Sequence, residues 1–122
     1  MMLHNFKELK TWKEAIELNT MVYQLVSSFP KEHRFELSSQ MIRSAISIPS
    51  NIAEGCGRGT NPQLLHFLDI AQGSAYELET QLIIYERINL KTTEQIKPFL
   101  EKINFVQILI NNFKKHIIKQ GR

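Results

Sequence analysis

Leu64, Leu68, Ala71, Ala75, Leu78, Leu82 and Tyr85 are separated by alternating steps of four and three residues. That rhythm puts all seven on one stripe of an α-helix, whereas the side chains of a strand change face at every residue. A stripe this long needs apolar neighbours of the same length, because packing rather than propensity holds most helices together in water. The chain supplies three. Ala15, Leu18, Val22, Leu25 and Phe29 carry the same steps, widened by Trp12, Ile16, Tyr23 and Val26. Met41, Ala45, Ile48 and Ile52 repeat the pattern, as do Ile96, Phe99, Ile103, Val106, Ile110, Phe113 and Ile117. No convincing alternating strand pattern competes with them. The reading is an all-α, antiparallel up-down-up-down four-helix bundle, one domain over residues 1–122.

Punctuation sets the expected helices at 11–28, 37–57, 62–87 and 93–118, with a lead-in over 1–10 and a basic tail over 119–122. Thr11 with Glu14, and Thr92 with Gln95, have the spacing of a capping box. Phe29-Pro30 closes the first helix, because a residue before proline avoids the helical region. Gly55, Gly57 and Gly59 suit the left-handed conformations of a helix end. Asn61 then reads as an N-cap with Pro62 at the first helical position. Pro49 lies inside the second helix, where the missing N–H predicts a kink. Gly73 and Ala75 predict a slim middle to the third helix, open to close approach.

The second helix has two faces. Opposite its apolar stripe, Gln40, Arg43, Ser44, Ser47, Asn51 and Glu54 recur every three or four residues. Arg43 and Glu54 lie eleven residues apart, about three turns, and share a face. Two pairings are open to them, with each other's neighbours or, for Arg43, with Glu77 or Glu79 of the third helix, while Ser47, Asn51, Gly73 and Ser74 are small or hydrogen-bonding groups suited to close contact. The pattern reads as architecture, a network that fixes register.

Hydrophobic residues at 43% and charged residues at 22% are ordinary for a folded globular domain. The single cysteine, Cys56, excludes an internal disulfide framework and a cysteine-cluster zinc site. No apolar run reaches membrane-spanning length and residues 1–10 lack a signal-like apolar region, so a cytoplasmic location is expected. The net charge of +3 is unevenly spread: zero over 1–30, +1 over 31–61, −3 over 62–90 and +5 over 91–122. Lys114, Lys115, Lys119 and Arg122 are therefore the leading candidates for phosphate contact, with Lys97, Lys102 and Arg58 secondary. The competing reading of the terminal lysines is a solvated helix end that complements the macrodipole.

Other chemistries fit poorly. A di-iron bundle needs Glu-x-x-His pairs, but Met1, Pro30, Gln63 and Phe113 stand three residues before the four histidines. Arg58 and His66 resemble the Arg/His pair of helical ribonucleases only loosely. The Gly55-x-Gly57-x-Gly59 run follows a helix instead of the strand a phosphate loop requires. Cys56 has no base or second cysteine near it in sequence, and Ser47 and Ser74 have no histidine at a fixed local spacing. No catalytic residue, metal site or cofactor is expected.

The order Phe6, Leu9, Trp12, Ala15, Tyr23, Phe29-Pro30, followed by Leu37-x-Ser39-Gln40-x-x-Arg43-x-Ala45-x-Ser47-Ile48-Pro49-x-Asn51-Ile52-Ala53-Glu54-Gly55, resembles the four-helix-bundle family of 23S rRNA intervening-sequence proteins. Phe67-Leu68-x-Ile70-Ala71-x-Gly73-Ser74-x-x-Glu77-Leu78-Glu79-x-x-Leu82 continues the likeness, which spans about residues 6–90 and extends to the fourth helix only as a pattern. The chain is also similar to the accessory variability determinant proteins of diversity-generating retroelements, basic barrels that work beside a reverse transcriptase and its RNA. The resemblance implies a four-helix bundle without an assigned enzymatic activity and, in some members, a pentameric ring.

The functional expectation is a non-catalytic homo-oligomeric bundle that binds nucleic acid, RNA before DNA, through basic surface groups. The alternative is a scaffold or accessory subunit for a nucleic-acid enzyme, docked through the acidic third helix (Asp69, Glu77, Glu79, Glu86); RNA cleavage ranks below both. Phe105, Ile108 and Leu109 broaden the apolar face of the fourth helix beyond its main stripe, which fits self-association and, equally, extra core within one copy.

Overall fold

The computed structural model describes residues 5–30, 36–88 and 91–121. Four helices account for most of them: α1 (Lys10–Ser27), α2 (Glu36–Cys56), α3 (Asn61–Arg87) and α4 (Thr93–Gln120), with a single 3-10 turn at Phe6–Glu8 ahead of α1. There is no strand among the described residues. Each helix packs on two others, α1 on α2 and α4, and α3 on α2 and α4, which makes a four-helix bundle.

Contacts along three of these four packed pairs run in opposite order. At one end of the α2–α3 seam the Tyr85 hydroxyl donates to the carbonyl of Leu37, Ser47 and Ser74 share a 2.7 Å hydrogen bond near the middle, and Gly55 abuts Leu64 at the far end. Between α3 and α4, Gln107 donates to Glu79 and Lys114 to Gln72. Between α1 and α4, Lys102 meets Glu14, while Lys91, just ahead of α4, reaches the Ser28 hydroxyl at 2.7 Å.

The core is the set of stripes. Every member of the α3 stripe is at most 1% exposed. Ala15, Leu18, Val22, Met41, Ala45, Ile48, Ile52, Ile103, Val106 and Ile110 fill the space between. Phe29 closes one end edge-on to Tyr85, with ring centres 5.0 Å apart. Phe99 and Phe113, expected within the α4 stripe, are only half-buried at its margin.

Several local expectations need correction. Thr11 does not cap α1: the helix starts at Lys10 after Leu9, which makes no side-chain cap, and Thr11 is buried in the first turn. The 3-10 turn sets that start instead, because the Leu9 amide bonds the Phe6 carbonyl and the Phe6 ring packs edge-on to Trp12. Asn61 is not the cap of α3 either. Thr60 accepts from the Gln63 amide at 3.3 Å, and Asn61 and Pro62 already sit in the first turn. Thr92 and Gln95 form both arms of a capping box, as their spacing predicts, at 3.1 and 2.9 Å.

The glycines also behave differently from expectation. None of Gly55, Gly57 and Gly59 has a left-handed φ. Instead the Gly57 amide bonds Ala53 and Glu54 carbonyls, and the Arg58 amide bonds Gly55, so α2 ends by tightening its last turn. Gly55 lies within α2, where an added Cβ would meet Leu64 Cδ1 and Phe67 Cβ at 3.0 Å. Gly73, expected to admit a neighbour, faces open space with nothing within 4 Å of such a Cβ. α2 continues through Pro49, whose ring is buried.

The polar seam closes through its neutral members. Asn51 donates to the Ser47 carbonyl at 2.8 Å and to its hydroxyl at 2.9 Å, and Ser47 in turn meets Ser74. Arg43 does not reach Glu77 or Glu79: it is exposed and makes no ion pair among the described residues. Glu79 accepts from Gln107, Glu77 is exposed, and Glu54 pairs with Arg58. Small hydroxyl and amide groups bond across a tight seam without the desolvation that a buried guanidinium–carboxylate pair incurs.

Candidate nucleic-acid interface

α4 carries most of the candidate cations, and its geometry sorts them. Its inner stripe faces α1 and α3, so residues about half a turn away point to solvent. Asn104, Ile108, Asn111, Lys115 and Lys119 recur at three- and four-residue steps, with Asn112 beside them, and all six are exposed. Lys97 is exposed further up the helix, in a shallow depression lined by Glu86, Thr93, Leu100, Glu101 and Asn104.

Lys102 is not free for a ligand. It is half-buried between Glu14, with which it forms a close ion pair, and Glu17, 3.3 Å away. Burial pulls its pKa down, but hydrogen bonds to and the charges of both glutamates outweigh this and leave it raised. Lys114 is also engaged, with Asp69 at 2.5 Å and Gln72 at 3.0 Å on α3. Arg58 pairs with Glu54 at 2.7 Å and lies over the Phe67 ring, 4.8 Å from its centre. Arg122 lies outside the described residues.

The structure therefore divides the seven predicted contacts. Lys102, Lys114 and Arg58 have intramolecular counter-ions, whereas Lys97, Lys115 and Lys119 have none among the described residues. Residues 102–122 contain no aspartate or glutamate, so nothing within that stretch offsets Lys115 and Lys119. The three asparagines escaped the sequence reading. Asn104, Asn111 and Asn112 make no side-chain hydrogen bond among the described residues, and their recurrence on the lysines' face was the available signal.

The acidic face expected of α3 is half occupied. Asp69 is bound to Lys114 and Glu79 to Gln107, so two of its four carboxylates serve the α3–α4 seam. Elsewhere a groove runs along the outside of α1 and α2. Trp12, Ile16, Asn19 and Tyr23 line one wall; Ile42, Ile46, Pro49 and Ala53 line the other. Tyr23 is 66% and Ile46 52% exposed, large values for side chains of this kind.

Reactive groups outside these surfaces are few. Cys56 is 1% exposed, and burial pushes its thiol up to about 11. His66 is exposed and packs edge-on to Phe67, the ring that Arg58 also covers. Among the described residues no three His, Cys, Asp or Glu side chains converge as a metal site, and no helix is long and apolar enough to cross a membrane.

The family model for 23S rRNA-intervening sequence proteins matches residues 7–112, leaving Lys114, Lys115 and Lys119 beyond its end. No curated protein matches the chain. Among solved structures, a protein of unknown function from the S23 ribosomal protein family of Bacteroides thetaiotaomicron superposes with a TM-score of 0.80 at 24% identity, covering 86% of this chain and 98% of its own. That likeness carries the fold. With most of its length matched by the family model, the chain belongs to the family of 23S rRNA-intervening sequence proteins.

Proposed function

We propose that this protein is a non-catalytic helical bundle that binds RNA through its phosphates along the exposed face of α4, and that copies associate to multiply that face. The observation carrying the proposal is the pairing of Lys115 and Lys119, exposed, one turn apart and without counter-ions, in a stretch free of acidic residues. Two such charges per copy bind weakly on their own; several copies acting together raise the effective concentration of each contact. The apolar groove between α1 and α2 supports self-association, since exposed Tyr23 and Ile46 gain from being covered.

The test is fluorescence anisotropy of a structured RNA across a salt series. Affinity falls steeply with salt, because counterion release dominates phosphate contacts. Lys115→Ala/Lys119→Ala flattens the slope of log affinity against log salt by roughly one per lost contact per copy. Lys102→Ala, whose ammonium is already held by Glu14, leaves the slope unchanged. Absence of binding at low salt, or an unaltered slope in the double variant, refutes the assignment.

The α1–α2 groove also favours a second reading, in which a protein partner lays an amphipathic helix there and the bundle serves as an accessory subunit. Recovery of one stoichiometric partner after nuclease treatment, lost with Ile46→Glu, would favour it over direct RNA binding.

A further inference from the structure

Resting on the phosphate reading above, we infer that the α4 face is built for double-helical A-form RNA, with asparagine amides directed at ribose 2′-hydroxyls and lysines at the flanking phosphates. Three observations lead there. First, the exposed strip from Asn104 to Lys119 runs about 22 Å along the axis of one continuous helix, so it presents a rod to its ligand. Second, it has no stacking platform. Phe99, Phe105 and Phe113 are all half-buried, the exposed tyrosines among the described residues, Tyr23 and Tyr76, lie on α1 and α3, and the imidazole of His116 is the one exposed aromatic ring on α4. Unpaired strands are held by successive bases stacked on aromatic rings, and a lone imidazole makes no such succession on α4.

Third, the strip's polar groups are neutral amides as well as cations. Asn104, Asn111 and Asn112 each expose a carbonyl oxygen and an NH2 with no partner among the described residues. A side-chain amide both donates and accepts, as does a 2′-hydroxyl. The wide, shallow minor groove of A-form RNA displays rows of these hydroxyls between phosphate edges, and proteins read it by shape and by 2′-hydroxyl contacts. Placed over that groove, Asn104, Asn111 and Asn112 meet the sugars, Ile108 between them packs on ribose carbons, and Lys115 and Lys119 reach the phosphate edge. Base identity plays no part in this geometry.

The experiment compares blunt duplexes of about 16 base pairs with one sequence in four forms: RNA duplex, DNA duplex, single-stranded RNA and 2′-O-methylated RNA duplex. The RNA duplex should bind roughly tenfold tighter than the others, the effect of one or two hydrogen bonds. Asn111→Ala/Asn112→Ala should lower its affinity to the DNA level without changing DNA binding; both sites are exposed, and alanine favours the helix. Lys115→Ala/Lys119→Ala should weaken all four alike. Equal affinity for DNA and RNA duplexes, tighter binding of the single strand, full affinity for the methylated duplex, or an undiminished RNA preference in the asparagine variant each overturns the inference while the phosphate reading stands. Failure of all four probes to bind overturns both.

Discussion

At Gly55 the absent side chain lets α2 lie against Leu64 and Phe67 of α3, whereas at Gly73 the absent side chain leaves a gap that nothing fills. The same substitution should therefore act oppositely at the two sites. Gly55→Ala places a methyl 3.0 Å from Leu64 and Phe67 and should lower unfolding free energy by about 1–3 kcal/mol in urea titrations. Gly73→Ala should raise it by about 0.5–1 kcal/mol through helix propensity alone. The sequence points to Gly73 as the place of close approach and to Gly55 as a left-handed helix end, because periodicity places a residue on a helix face without saying how near the next backbone comes. Ser47, Asn51 and Ser74 were legible as a contact set, since their spacing put small polar groups on one seam. Arg43 was not: its long side chain can leave the seam for solvent, and sequence alone does not weigh that escape against pairing.

Among the elements, α4 combines two surfaces that sequence treats as one basic helix. Lys102 belongs to the α1–α4 seam. Lys102→Ala should cost about 1–2 kcal/mol, because it leaves Glu14, 20% exposed, without its partner; Lys115→Ala should stay within about 0.5 kcal/mol. The pH dependence has a definite sign. Lys102 has a raised pKa in the fold, so its contribution is complete below about 10.4, the ordinary lysine value, and is lost as pH rises through the higher folded value. Urea unfolding between pH 9 and 12 should show a shallower alkaline loss of stability in Lys102→Ala than in the parent. Helix positions were readable to within one or two residues because apolar stripes run their full length. The starts of α1 and α3 were misread, since a preceding 3-10 turn or a threonine one residue earlier shifts a cap without disturbing the stripe.

For the whole molecule, the stripes make four rods and leave an uncovered apolar groove between α1 and α2. Sedimentation equilibrium at micromolar concentration should give a mass above 14.2 kDa, and Ile46→Glu, which places a charge in that groove, should return it to a single copy. A 14.2 kDa species from the parent chain would remove self-association from the proposed function. The architecture could be read from the chain because burial repeats along it. The charged surface was only partly readable, because whether a lysine is free depends on carboxylates brought in by other helices. Asp69 and Glu14 stand 45 and 88 positions from the lysines they occupy. The lone thiol has a use that follows from its depth. With Cys56 shut inside and its proton tightly held, a disulfide reagent can reach it only when the end of α2 comes away, so labelling kinetics would time the breathing of the bundle from within.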